Sequence, residues 1–309
     1  MSTNTSNPVI NEAFKVDFIA LSDYANANPS ALLVPSKLSK LERAFLETLG
    51  GSEVSEIQRF NVLGTSSAKT EKGEVKGWLT GISYLSPAAE SGFALVCFWA
   101  RNCKAICLNW AGRGALNTVQ KARQRKTFRL FAYGIQNYLL NVVLDIRKLL
   151  QRAQNKGFGL AIRLDGTSDM GLVNHPIQAL GNKTLPQLFP SVEFYEYTKS
   201  FGRMEAFLRG EFPRNVHFTF SLDGETNKAQ AAILNLKGAN IAVCFSGSFP
   251  TVWNGSKVID GDTSDLRFLD PRASSSTVSG PSHLRAGYIV ALKAKGKAKT
   301  LRNGFVQTV

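Results

Sequence analysis

The chain has 309 residues, 44% of them hydrophobic and 19% charged, which is the balance of an ordinary globular protein and excludes wholesale disorder. No run reaches the ~18 uncharged apolar residues of a membrane span; the best, residues 92–100, stops at Arg101. Lys and Arg number 37 against 23 Asp and Glu, a net charge of +14, so the chain is expected to be drawn to polyanions, nucleic acid foremost.

Residues 1–75 read as a mostly helical N-terminal extension. The opening MSTNTSNPVINEAF lacks the basic and apolar regions of a secretory signal, so a cytoplasmic location is expected. PSKLSKLERAFLETLGG predicts one helix over 36–49, with Leu38, Leu41, Phe45 and Leu49 on one face and Gly50 or Gly51 stopping it. The following stretch is polar, its second half loop-like.

Residues 76–309 carry a different pattern. Short apolar runs rich in β-branched and aromatic residues predict strands at 77–85, 93–99, 159–164, 192–197, 216–222, 240–246 and 288–293. Most are continuous rather than alternating, as in a parallel sheet covered on both faces. Helical segments lie between them at 131–156, capped by Gly157, and at 199–211 and 225–238. Strands alternating with helices give an α/β fold, a full or partial (β/α) barrel with parallel strands or an open doubly wound sheet, followed by a basic tail.

In such folds chemistry collects beyond the carboxyl ends of the strands. The 93–99 run leads into Cys97, Cys103 and Cys107, spaced C-x5-C-x3-C. The 159–164 strand ends in Asp165, Gly166, Thr167, Ser168 and Asp169, the 192–197 strand in Thr198 and Lys199, and the 216–222 strand in Ser221, Asp223 and Gly224. Three thiols in one short loop suit zinc or an iron–sulfur cluster with one iron left open, whereas Cys244 reads as a buried small residue. Four cysteines in so long a chain, three of them crowded together, point to reduced thiols rather than a disulfide framework.

The acid-free basic stretch contains Arg113, Lys121, Arg123, Arg125, Lys126 and Arg129, candidates for guiding a nucleic acid. Lys293, Lys295, Lys297 and Lys299 add a second basic run. Asp260, Asp262, Asp265 and Asp270 either bind a divalent ion or, as the better reading, form an Asp-rich turn with an Arg267 ion pair. Residues 271–283 predict a Ser-rich loop, and His175, His217 and His283 are scattered, His217 reading as a packed strand residue. Trp99, Trp110 and Trp253 flank the strand ends. No Walker loop, GxSxG or HExxH is present.

The order of strand, three-cysteine loop and helix, then DGTSD turn, then a Thr-ended strand, then Ser-Leu-Asp-Gly resembles the radical S-adenosylmethionine barrel family. That resemblance implies a [4Fe-4S] cluster on Cys97, Cys103 and Cys107, with S-adenosylmethionine beside Gly166, Thr167, Ser168, Thr198 and Ser221. The segments CLNWAGRG, RLDGTSD, YEYTK and VIDGDTSDLRFLDP also resemble those of phage and plasmid proteins, over roughly residues 90–300.

Three functions stay open on this reading. One is a metal-cluster enzyme acting on nucleic acid or a nucleotide. The second is a Zn²⁺-dependent nucleobase-modifying or base-exchanging enzyme with Asp165, Asp169 or Asp223 as nucleophile or base. The third is a non-catalytic nucleic-acid-binding protein.

Overall fold

A computed structural model describes residues 15–51, 54–272, 287–300 and 303–308. Residues 273–283 of the Ser-rich stretch, including His283, lie outside the described residues. The chain is a mixed α/β protein. Its strands are β1 (Ser36–Lys37), β2 (Glu56–Ile57), β3 (Trp78–Ile82), β4 (Gly159–Arg163), β5 (Glu193–Thr198), β6 (Val216–Ser221), β7 (Ile241–Phe245), β8 (Val252–Trp253), β9 (Ser256–Asp260), β10 (Ile289–Lys293) and β11 (Val306–Gln307). The helices are α1 (Phe18–Ala27), α2 (Lys40–Thr48), α3 (Ala68–Glu74), α4 (Asn117–Ala132), α5 (Gly134–Lys156), α6 (Leu185–Leu188), α7 (Phe201–Leu208) and α8 (Lys228–Leu236).

The main sheet runs β3-β4-β5-β6-β7-β10-β9-β8 and is parallel throughout except for β8, which joins β9 antiparallel. The strands β6 and β7 pair only at Phe220–Ile241 and Ser221–Ala242; beyond that point β11 takes the edge of β7 at Cys244 and Phe245. Among the described residues no strand pairing joins β3 to β8 or β9. Pairing of β1 with β2 makes a separate two-stranded ribbon.

Alternation of side chains gives the sheet two unlike faces. Leu79, Leu160, Ile162, Phe194, Phe218, Phe220 and Val243 face the main core, in which α5 lies against β3 and β4. That helix contributes a stripe including Tyr138, Val142, Val143, Ile146 and Leu149, and ends at Gly157, whose φ of 66° is the left-handed cap that glycine adopts without cost. The opposite face carries Trp78, Ala161 and Tyr195, covered by Leu266 and Phe268. Above them, toward the carboxyl ends, Arg163, Tyr197, Ser221, Cys244 and Leu292 border a cavity.

Six of the seven expected strands form. The exception is the run at 93–99, which makes one bridge, Ala94 to Val16, and is otherwise irregular. Its backbone is satisfied by other loops, with Val96 N–H donating to Ala88 O (2.9 Å) and Val96 O accepting from Asp169 N–H (2.9 Å). An apolar run signals burial, and Val96 is buried; burial alone does not select a strand. The loop-like stretch before residue 76 holds α3, started by a Ser67–Thr70 capping box. The expected helix over 36–49 begins later, because Ser39 caps it in a box with Glu42 and Ser36–Lys37 pairs with β2. Leu46 is therefore the buried residue of α2, and Leu41 is exposed.

Residues of the N-terminal extension share the main core: Leu38, Leu46, Ile57, Phe60 and Val62 belong to the cluster built on α5. Asp145 of α5 fixes this junction, accepting from Val62 N–H (2.7 Å) and Leu63 N–H (3.1 Å) and pairing with Arg59 (3.5 Å). Asn141 accepts from Phe60 N–H (3.0 Å) one turn earlier. Replacing Asp145 with Ala leaves two backbone donors without an acceptor and takes one of several partners from the Arg59 guanidinium; a loss of about 2–3 kcal/mol in urea unfolding is expected.

Candidate functional site

The cavity has a volume of about 280 Å³ and lies at the carboxyl ends of the parallel strands. Parallel strands all end on the same edge, so the loops that follow them meet there. Cys97, Cys103 and Cys107 all line it, together with Asp165, Gly166, Thr167, Ser168, Asp169, Thr198, Lys199 and Ser221. The structure thus brings together most of the expected site residues, from four separate loops.

Each acidic group has a defined task. Asp165 Oδ1 accepts from Ser168 Oγ (2.6 Å) and Met170 N–H (3.2 Å), and its Oδ2 accepts from Gly171 N–H (2.8 Å), so it organises its own loop. Asp169 accepts from Thr198 Oγ1 (2.9 Å), Lys199 N–H (2.7 Å) and Arg203 Nη1 (2.5 Å), tying the β4 loop to the β5 loop. Asp223 accepts from the N–H groups of Arg101 (2.9 Å), Asn102 (3.0 Å) and Cys103 (2.8 Å), fastening the cysteine loop to the end of β6. These bonds occupy the carboxylates with positioning. Sequence reasoning passed over Glu196, which is buried on β5 and accepts from Leu164 N–H (2.6 Å) and Asp165 N–H (3.0 Å). Burial pushes both Glu196 and Asp165 up, with Asp165 adding to the rise of Glu196 and Asp169 to that of Asp165.

The glycine-containing turn is tight for a steric reason. A Cβ at Gly166 would fall 2.5 Å from Ser83 O, and Thr167 Oγ1 donates to Leu85 O (2.5 Å), so the turn is stitched to the end of β3. Cys97 Sγ sits beneath it, accepting from Ala88 N–H (3.2 Å) and donating to Thr167 O (3.5 Å). Ser221 Oγ accepts from Lys199 Nζ (3.3 Å).

The thiols are held protonated. Burial pushes all three up, Cys103 to about 11, and it outweighs the opposing pull of Lys199 on each. Lys199 is itself kept charged: burial disfavours its ammonium, but the carboxylates of Asp223 and Asp169 around it favour it. In donor chemistry the trio suits a soft metal. In arrangement it does not form a closed centre: among the described residues, no three His, Cys, Asp or Glu side chains make a group that could hold a metal ion. Cys244, the expected core residue, borders the same cavity, and burial raises it to about 11.

The basic residues at 101–130 divide into two sets. Arg113, Lys121 and Arg125 are exposed. Arg123 instead turns to Asn109 and lies over Tyr84; Lys126 donates to Val62 O (2.5 Å), and Arg129 donates to Ala31 O (3.3 Å) and lies over Phe60. The helical period of α4 produces this division, since its buried face runs through Thr127, Phe128 and Leu130 and takes neighbouring cations with it. The stretch expected as a basic tail is also structured. Ala298 and Val306 pack on Ile106, Asn303 Nδ2 donates to Asn102 O (2.7 Å), and Gly304 O lies where a Cβ on Gly224 would be, 2.4 Å away. Residues 294–300 and 303–307 thereby cover the cysteine loop.

The acidic run resolves into an Asp-rich turn. Asp262 N–H donates to Asp260 Oδ1 (2.7 Å), and Arg267 pairs with Asp270 (3.2 Å). His217 is a packed residue, within 2.5 Å of Glu193 and against Phe268. Trp99 and Trp110 are each 40% exposed, while Trp253 packs on Phe245.

This architecture defines an α/β protein with a mostly parallel sheet and a ligand-sized cavity at its carboxyl edge. Residues 61–307 match the model of the Gene product 88 family, and the chain belongs to that phage-type family. The match begins at the strip Asn61–Leu63, which α5 holds through Asp145. No curated protein and no solved structure matches the chain. Among the described residues no helix is long and apolar enough to cross a membrane.

Two outcomes follow for the cysteine loop. Asp223→Ala removes three backbone bonds, so a stability loss of about 2–3 kcal/mol is expected, with faster iodoacetamide labelling of Cys103. In the wild type a thiol with its pKa near 11 is only about one thousandth thiolate at pH 8, so labelling should be slow at pH 7 and rise roughly tenfold per pH unit up to that value.

Proposed function

We propose that the chain is a metal-centred enzyme acting on nucleic acid or a nucleotide, with its working site in the cavity of Cys97, Cys103 and Cys107. The observation that carries this reading is the convergence of all three cysteines of one loop on a single cavity at the carboxyl edge of a parallel sheet. Support for a partial barrel comes from contacts across the sheet face: Trp78 of β3 meets Phe268 edge-on at 4.7 Å, and Lys69 beside β3 pairs with Asp265 beyond β9 at 3.4 Å. Metal entry would require the three thiols to lose their protons and the loop to draw them together, with Lys199 compensating the charge that results.

An iron–sulfur cluster would supply electrons to a bound cofactor such as S-adenosylmethionine, whereas zinc would supply a polarised water. The chain's own residues have parts independent of that choice. Asp223 holds the cysteine loop, Asp169 sets Thr198 and Lys199, and Asp165 shapes the DGTSD turn. The exposed Arg113, Lys121 and Arg125 and the net charge of +14 favour approach of a polyanion.

Anaerobic purification followed by metal and sulfide analysis tests the reading. Iron with sulfide, present in wild type and lost in a Cys97/Cys103/Cys107→Ala variant that still folds, is the expected result. Zinc lost in the same way would assign the polarised-water chemistry. A metal-free wild type, taken up with neither iron nor zinc on reconstitution, overturns the metal centre.

A further inference from the structure

The cavity has two chemically different walls. One carries the thiols. The other is built from α3, the end of β4, the turn after β9 and the end of β10, and presents Lys69, Lys72, Arg163, Lys293 and Lys295. Only two carboxylates answer these five cations. Asp265 is shared between Lys69 (3.4 Å) and Arg163 (3.3 Å), and Asp262 pairs with Lys295 (2.7 Å). Lys72 donates to the backbone carbonyl of Asp262. The wall thus holds three more cations than carboxylates, with Arg163 and Lys69 set deeper in the cavity and Lys72, Lys293 and Lys295 exposed at its rim.

Such crowding costs free energy unless an anion enters. Its mark is on Lys69: burial first, then Arg163 and Lys295, draw its ammonium down to about 8 although Asp265 holds it up. Two buried polar atoms at the same wall are also unsatisfied within the described residues. Arg163 Nε and the Tyr197 hydroxyl have no hydrogen-bond partner, although the guanidinium lies over the Tyr197 ring at 4.6 Å and Arg163 is 6% exposed. Buried donors without acceptors are rare, and a ligand oxygen would satisfy both.

We propose that the wall formed by Lys69, Lys72, Arg163 and Lys295 is a subsite for a di- or triphosphate group, the charged end of a small nucleotide. A single carboxylate would answer only one of the three surplus charges, whereas a diphosphate answers them together and offers acceptors to both Arg163 and Tyr197. The cavity of about 280 Å³ suits a small ligand rather than a duplex. This inference rests on the reading of the cavity as the working site for a nucleotide or nucleic acid, and not on the metal.

Isothermal titration calorimetry with sodium pyrophosphate, sodium tripolyphosphate and then a nucleoside triphosphate tests it, each variant being checked for folding by circular dichroism. All three ligands are expected to bind wild type. Lys69→Ala and Lys295→Ala are each expected to weaken pyrophosphate binding tenfold or more, and a Lys40/Arg43→Ala variant, at exposed positions of α2 that do not line the cavity, to leave it unchanged. Lys295 is half-exposed, so its variant carries the test if Lys69→Ala does not fold. Tighter binding of the nucleoside triphosphate than of sodium tripolyphosphate identifies a nucleotide, and equal binding identifies free oligophosphate. Undetectable pyrophosphate and triphosphate binding, binding unmoved by either lysine change, or loss with the Lys40/Arg43 change overturns the subsite. Pyrophosphate binding retained in the triple-cysteine variant, beside a metal-free wild type, would sustain this inference while the metal centre fails.

Discussion

The carboxyl edge of the sheet depends on buried carboxylates that accept backbone N–H bonds. Loops that leave parallel strands have no ladder or helix to satisfy their amides, and an unpaired buried amide is costly. Here Glu196 receives the end of β4, Asp165 receives the turn after it, Asp169 receives the start of the β5 loop, and Asp223 receives the cysteine loop. Four side chains thus do for irregular backbone what strand pairing does below them. The thiols, Lys199 and Ser221 keep their places around the cavity because these amides have somewhere to go.

Much of this was legible in the sequence, for identifiable reasons. The strands at 159–163, 193–198, 216–221, 241–245 and 289–293 are continuous β-branched and aromatic runs, a pattern that parallel burial imposes. Gly157 marked the end of α5, and the polar residues at the ends of β4, β5 and β6 marked the cavity edge, although Asp223 and Ser246 do not line it. The 93–99 run misled because irregular chain can be as deeply buried as strand. The second wall of the cavity was not legible at all. Lys69 sits in a polar stretch before β3, and its partners Arg163 and Asp265 are far away in sequence; only the meeting of the β3 flank with the turn after β9 unites them.

Charge on this protein is divided between inside and outside. The +14 balance first suggests a basic surface, and Arg113, Lys121 and Arg125 do face solvent. Other cations have structural work: Lys126 and Arg129 cap carbonyls of the N-terminal segments, and Arg203 anchors Asp169. Still others line the cavity. The match to the Gene product 88 family spans residues 61–307, and that extent takes in both cavity walls.

The covering of the cysteine loop has a consequence in time. Asn303, which donates to Asn102 O, follows it by 201 positions in the chain. A ribosome making this protein exposes the three thiols long before it produces the segment that closes over them. The β3–β4 unit and α5 can assemble while the loop is still uncovered, with β11 docking against β7 as a late event.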